Sequence, residues 1–319
     1  MNTQPLFYLA PLRGVTDYIF RNTFESYFGK FDYLLAPFIP TVKGSTVNIH
    51  HIRDILPDYN DVERVIPQII GNDPADIIIL ASHFAVLGYK SVNLNLGCPH
   101  PQITRKRRGS GLLPFPEMIR SILETVIPKV SCTLSVKVRL GLTSKDELEN
   151  VIPVFNQLPL SEVIIHPRTG SQMYDGSADI SYFIKYSSAI SHQITYNGDL
   201  WSLDDFRSFS SLMPKIHNWM MGRGVVSNPN LLEELRSDRY MKIDTKTLES
   251  FHNEMFAKNR EKLSGPSHLL GKMKELWAYM AKSFNRSKKV LKKIQKKTTI
   301  EGYLKATEEI FNEEPVNTV

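Results

Sequence analysis

The run Ser91-Val92-Asn93-Leu94-Asn95-Leu96-Gly97-Cys98-Pro99 carries an alternating apolar strand straight into a Gly-Cys-Pro turn that presents one thiol. A thiol held at such a turn can donate a proton or act as a nucleophile; the competing reading is a small buried structural cysteine. The rest of the chain repeats one design, an apolar strand that ends in a polar residue. Arg13 follows the first such run, Gln68 lies on the third, Asn95 and Cys98 on the fourth, Lys137 and Arg139 on the fifth. His166 and Arg168 belong to the sixth, Asn197 and Asp199 to the seventh, and Arg223 to the eighth. Any one could be a satisfied structural group. As a set they point to a ligand, because a buried polar group left without a partner costs about 1–3 kcal/mol. Two glycine-bearing turns, Asn197-Gly198-Asp199 and Met221-Gly222-Arg223-Gly224, add backbone donors beside an arginine, a combination suited to a phosphate dianion.

The elements that must position these residues are short. Eight apolar runs rich in β-branched and aromatic residues occupy 6–11, 31–38, 65–71, 91–97, 134–140, 162–166, 193–197 and 218–222. Helix-like segments fall between them and carry start signals: Thr16 and Asp17 before 18–27, Asp73-Pro74 before 75–87, Pro116 before 117–127 and Ser144 before 145–155. Eight alternations predict an α/β fold, a (β/α)8 TIM barrel over residues 1–240, whose active site lies at the C-terminal ends of the strands. Residues 41–60 make a poor helix, so the second strand–helix unit is the least regular. No Gly-x-Gly-x-x-Gly follows a strand, and Gly109-Ser110-Gly111 comes after the Cys98 turn, which argues against a dinucleotide-binding unit. A phosphate-bearing cofactor in such a barrel, a lysine on the fifth strand and a poised thiol together suggest FMN. Lys137 would then stabilise negative charge on the reduced isoalloxazine, the competing reading being a lysine snorkelling from a barrel strand.

Beyond residue 240 the pattern turns helical, and 241–319 is expected to form a small all-helical C-terminal domain. Leu269, Leu270, Met273, Leu276, Trp277, Met280 and Phe284 share one helical face. Between 266 and 300 there are ten basic residues, Lys272, Lys274, Lys282, Arg286, Lys288, Lys289, Lys292, Lys293, Lys296 and Lys297, against the single acid Glu275. This window carries +9 where the whole chain carries +6, leaving −3 elsewhere. Such concentration is the footprint of a nucleic-acid or anionic-membrane partner, the competing reading being a solvated helix face. Two cysteines, Cys98 and Cys132, exclude a disulfide framework. The first residues lack a signal-peptide pattern, and no run approaches the ~20 apolar residues needed to span a bilayer. A soluble, cytoplasmic, membrane-free protein is expected, monomeric and without a metal.

The ordered motifs give the chain a family resemblance. They are Ala10-Pro11-Leu12-Arg13-Gly14-Val15-Thr16-Asp17 with Phe20-Arg21, Asn95-Leu96-Gly97-Cys98-Pro99, Arg105-Lys106 with Gly109-Ser110-Gly111-Leu112-Leu113, and Val136-Lys137-Val138-Arg139-Leu140-Gly141. Ile165-His166-Pro167-Arg168-Thr169, Gln172 with Tyr174 and Gly176, Asn197-Gly198-Asp199, and Gly222-Arg223-Gly224 with Asn228-Pro229 complete the series. In this order, over essentially the whole chain, they resemble the tRNA-dihydrouridine synthase family. The resemblance implies FMN held by Pro11, Leu12, Arg13, Gln68, Lys137, His166, Asn197, Gly198, Asp199, Gly222 and Arg223, with Cys98 as the catalytic cysteine. It implies reduction of the C5=C6 double bond of uridines in tRNA to 5,6-dihydrouridine, with NADPH as hydride source and Cys98 as general acid. A thiol with an ordinary pKa of ~8.5 stays protonated near neutrality, and proximity can make it an effective acid. Asn95, Arg139 and Arg168 are candidates for the uracil edge. Arg105, Lys106, Lys272, Lys274, Lys282 and Arg286 are candidates for the RNA backbone, whose contacts would offset the few kcal/mol of extruding a base.

Three motifs depart from the family pattern: Leu12-Arg13 stands for the commoner Met and a variable residue, Pro167 for Gly, and Gly111 for Ala. None removes a reacting group. The competing functions are an FMN-dependent ene-reductase of a small molecule, a dihydrouridine synthase acting on rRNA, and a non-catalytic RNA-binding protein that retains the fold.

Overall fold

The computed structural model describes residues 4–44, 47–314 and 316. The chain divides into two compact units, one drawn from 1–11, 32–199 and 212–220, the other from 12–31, 200–211 and 221–319.

In the first unit the strands are β1 (Leu6–Leu9), β2 (Tyr33–Leu35), β3 (Ile39–Pro40), β4 (Val65–Ile66), β5 (Gln68–Ile70), β6 (Ser91–Leu96), β7 (Thr133–Gly141), β8 (Val163–Thr169), β9 (Ile194–Tyr196) and β10 (Asn218–Met221). They are hydrogen-bonded in the order β3-β5-β6-β7-β8-β9-β10-β1-β2-β4. β4 and β5 are halves of one stretch broken at Pro67, which has no N–H for the ladder although its carbonyl still accepts from Asn93 N at 2.9 Å. β2 and β3 are likewise halves of one stretch. Because β2 pairs with β4 and β3 with β5, both parallel, the row closes on itself as eight strands. The expected (β/α)8 barrel is the fold of this unit.

The strands are largely buried on both faces, with apolar residues broken by a few polar ones that meet across the sheet. β8 and β10 are buried throughout, and β6 at every residue but Ser91. Tyr8, Ala10, Leu35, Ile66, Ile164 and Met220 form an interior cluster contributed by five strands. The helix Pro74–Val86 starts as its sequence dictates, with Asp73 Oδ1 accepting from Ala75 N (2.9 Å) and Asp76 N (3.3 Å) and Pro74 in the first turn. Pro116–Val126 and Glu147–Asn156 follow β6 and β7. The latter begins two residues later than expected, because Glu147 turns back to accept from Leu142, Thr143 and Ser144 N–H groups. Residues 49–59 form one short helix and two 3-10 turns, anchored by buried Ile52 and Ile55. β8 runs three residues past its expected end, through Pro167, Arg168 and Thr169. A register shift between Arg139 and Gly141 of β7 absorbs this extension.

The second unit is helical. Asp17 caps Tyr18–Phe28, and Phe251 of the helix Thr245–Lys262 meets Phe20, Phe24 and Phe28 edge-on at ring distances of 6.0, 6.3 and 5.3 Å. The helices Pro266–Met280, Ser287–Gln295 and Ile300–Glu313 complete the C-terminal region. The apolar face from Leu269 to Phe284 read in the sequence is buried as core. A polar knot within it is Tyr303, whose hydroxyl lies 2.7 Å from His252 Nε2 and accepts from Trp277 Nε1 at 2.9 Å. No helix of the described residues is long and apolar enough to cross a membrane.

Candidate active site

The Cys98 turn is held from both sides. Register sets Gln68 beside Asn93 across β5 and β6, and Asn93 beside Ser135 and Asn95 beside Lys137 across β6 and β7. Gln68 Nε2 donates to Asn93 Oδ1, Asn93 Nδ2 donates to Ser135 Oγ, and Asn95 Nδ2 donates to Gln68 Oε1, each at 2.8 Å. The other end of Asn95 reaches forward, its Oδ1 accepting from Gly97 N at 3.0 Å and Cys98 N at 2.8 Å. From the far side Ser110 donates through both N (3.0 Å) and Oγ (3.1 Å) to the Cys98 carbonyl. Ser110 comes this close because Gly109 adopts a left-handed φ of +58°, where a Cβ would lie 2.6 Å from Cys98 O. The thiol itself is half-buried.

Lys137 stands next to this turn on β7. Burial pushes its ammonium down to about 7, helped by the like charge of Arg139 and opposed by Cys98. A side chain so placed switches charge near neutrality, in contact with the field of the thiol.

A second cluster gathers on β8 and β9. Arg168 is almost wholly buried; its Nη1 lies 3.0 Å from His166 Nε2, and its Nη2 donates to Gly176 O at 2.7 Å and to Asp199 Oδ2. Arginine has no lone pair to offer, so His166 Nε2 must be the acceptor and the imidazole carries its proton on Nδ1. Arg168 Nε is buried with no partner among the described residues. Asp199 also accepts from Ala178 N at 2.8 Å. Arg139 Nη1 donates to Thr169 O (2.7 Å) and Met173 O (2.6 Å), and its guanidinium lies 5.5 Å from the Tyr174 ring centre. Tyr174 in turn is 6.1 Å from the His166 ring. Asn197 Nδ2 donates to Met220 O at 3.0 Å, and Gly198 packs so closely on Tyr196 that a Cβ would overlap its hydroxyl.

Of the remaining residues read from the sequence, Pro11 lies two residues beyond the end of β1. Leu12, Arg13, Gly222 and Arg223 belong to the second unit. There Arg223 lies 4.9 Å from the Trp201 ring centre, and Leu12 N donates to Thr16 Oγ1 at 2.8 Å. Arg105, Lys106 and Arg107 are exposed just beyond the Cys98 turn, while Arg108 is tied to Asn72 and Thr41 O. In the basic window Lys272 donates to Gly14 O (2.8 Å) and Asp17 (3.0 Å), Lys274 to Gln295 O (3.0 Å), and Arg286 pairs with Glu314 (2.7 Å). Lys282 lies 4.3 Å from the Trp201 ring centre. Lys289 and Lys293 pair with Glu314 and Glu309, whereas Lys288, Lys292 and Lys296 form an exposed stripe at every fourth residue. The basic window read in the sequence includes these three lysines without distinguishing them from the paired ones, and Asn93 and Ser135 signal themselves only as polar residues inside apolar strands.

Residues 8–315 match the family model for dihydrouridine synthase. The chain is 25% identical to the tRNA-dihydrouridine(16) synthase of Aquipseudomonas alcaligenes, over 86% of this chain and 90% of the relative. It is 27% identical to tRNA-dihydrouridine synthase B of Pasteurella multocida, over 72% of this chain and 68% of the relative. Among solved structures, the old yellow enzyme homologue from Zymomonas mobilis superposes with a TM-score of 0.53 at 9% identity, covering 76% of this chain and 91% of that one, a likeness of fold. With a family model matching it over nearly its whole length, the chain belongs to the dihydrouridine synthase family.

Proposed function

We propose that this enzyme reduces the C5=C6 bond of specific uridines in transfer RNA to 5,6-dihydrouridine in the cytoplasm, with FMN as resident cofactor and NADPH as its reductant. The observation that carries the reading is the half-buried Cys98 thiol, fixed by Asn95 and Ser110 and set beside a lysine whose charge is balanced near neutrality.

The donor set fits FMN. After its two bonds Gln68 keeps one amide N–H and a lone pair, the His166 Nε2 faces Arg168, Lys137 is a desolvated amine balanced between its charged and neutral forms, and Gly198 and Asp199 would offer backbone N–H groups. Pro11, Gln68, Lys137, His166, Asn197, Gly198 and Asp199 would hold it in the first unit. Motif order gives Leu12, Arg13, Gly222 and Arg223 the same role. When bound, reduced FMN supplies a hydride to uracil C6. Cys98 supplies the proton to C5, so hydride and proton together saturate the double bond. The thiolate left on Cys98 favours the ammonium form of Lys137, and a proton from solvent restores the thiol. Asn95 spends its carboxamide oxygen on the turn and keeps one N–H for the uracil edge; Arg168 keeps its Nε–H. Exposed Arg105 and Lys106, with the exposed basic residues of the helical region, offer phosphate contacts that offset the few kcal/mol of extruding the target base.

The test is mass mapping of dihydrouridine in tRNA and rRNA from cells lacking the protein, with complementation by wild type and by Cys98→Ala. The expected result is loss of the modification from particular tRNA positions, restored by wild type alone, with flavin content equal in the two purified proteins. An unchanged map, a loss confined to rRNA, or full rescue by Cys98→Ala would overturn the reading.

A further inference from the structure

The helical unit contains a cavity of 290 Å³. Its lining includes Trp201, Tyr240, Met241, Ser227, Lys282 and Glu234, whose carboxylate accepts from Asn228 Nδ2 and Met241 N. Trp201 differs from the other two tryptophans: Trp219 and Trp277 are sealed in cores, whereas Trp201 is half-buried, and its neighbours Tyr240 and Met241 are more than 40% exposed. The cationic groups of Lys282 and Arg223 lie 4.3 and 4.9 Å from its ring centre. Ser227 is nine-tenths buried, and its Oγ has no hydrogen-bond partner among the described residues, although its carbonyl accepts from Ser283 Oγ at 2.8 Å. A native structure leaves a buried hydroxyl unsatisfied mainly where a ligand or water completes it.

A flat ring stacked on the half-buried indole beside these cations, an anionic group within reach of the lysine and a polar partner for the serine would match these features. A nucleotide provides all three. The volume, at the lower end of small-molecule sites, admits about one base with its sugar and excludes a folded peptide. We propose that this cavity docks one unpaired nucleotide of the RNA substrate other than the uridine that is reduced, its base against Trp201 and its phosphate on Lys282. RNA-binding proteins read single-stranded positions in this way, by stacking on an aromatic ring within reach of a cation. The proposal rests on the RNA-modifying function above. A dinucleotide reductant offers the same nucleotide chemistry, so the test separates the two sources.

Steady-state kinetics of the flavin-loaded enzyme with tRNA from cells lacking it would compare wild type with Trp201→Leu and Ser227→Ala. Loss of one stacked base raises KM for RNA about tenfold in Trp201→Leu, and loss of one hydroxyl contact raises it about threefold in Ser227→Ala. kcat, flavin absorbance and KM for NADPH stay at wild-type values. A short single-stranded oligonucleotide quenches tryptophan fluorescence in wild type but not in Trp201→Phe, which preserves an aromatic ring and guards against misfolding. Unchanged KM for RNA with an active enzyme, unchanged quenching in Trp201→Phe, or a rise in KM for NADPH alone would overturn the docking site. Absence of dihydrouridine in every RNA treated with wild type would instead overturn the parent function.

Discussion

Asn95 and Lys137 are register neighbours on adjacent strands and do opposite things. Asn95 fixes geometry, bridging Gln68 and the two N–H groups of the Gly97-Cys98 turn, while Lys137 supplies a charge whose presence depends on pH near neutrality. For Lys137 the folded state holds the pKa near 7 against 10.5 unfolded. Between those values the unfolded chain binds more protons, so this group makes stability rise with pH from about 7 toward 10. Thermal melts of the cofactor-free protein should show that rise, and Lys137→Met should flatten it. Equal slopes in the two proteins would contradict the burial of this ammonium. The residue types of this site were legible in the sequence; their hydrogen bonds were not, because Gln68, Asn93 and Ser135 meet only through strand pairing across 25 and 42 positions.

At the scale of elements, the helix Ser287–Gln295 separates two kinds of lysine that composition treats alike. Lys289 and Lys293 are neutralised by Glu314 and Glu309, which lie within and just beyond the following helix, and Arg286 shares Glu314. Lys288, Lys292 and Lys296 face solvent on one stripe. The sequence supported a basic RNA-facing surface and named Lys272, Lys274, Lys282 and Arg286 for it. In the structure Lys272 is occupied by Asp17, 255 residues away, a partner no local pattern reveals. Replacing Lys288, Lys292 and Lys296 together by Gln should weaken RNA binding and reduce the slope of log affinity against log salt by about 2, while leaving the melting temperature unchanged. Replacing Lys289 and Lys293 should lower the melting temperature and alter the slope less. If the two sets behave alike, the division drawn by the ion pairs is incorrect.

For the molecule as a whole, one contribution to acid stability comes from the C-terminal helices. His252 is fully buried against Trp277, Tyr303 and Phe311, and burial pulls its pKa from 6.5 down to about 4. The unfolded chain therefore binds one more proton between those values, and stability falls as pH drops from about 6.5 to 4, by on the order of 3 kcal/mol. His252→Gln should flatten that limb in melts followed by helical circular dichroism; persistence of the full decline would place its origin elsewhere. The sequence by itself determined the eightfold strand–helix period, the polar residues at the strand ends, the family motifs and the helical character of the C-terminal region. These follow from residue type and spacing, which act locally. The tertiary structure decided which polar groups are shared, which lysines are already paired, where β8 ends, and that an orphaned serine hydroxyl lines a tryptophan cavity. Burial and hydrogen-bond partnership are set by neighbours brought together from distant parts of the chain, and a linear pattern contains no term for them.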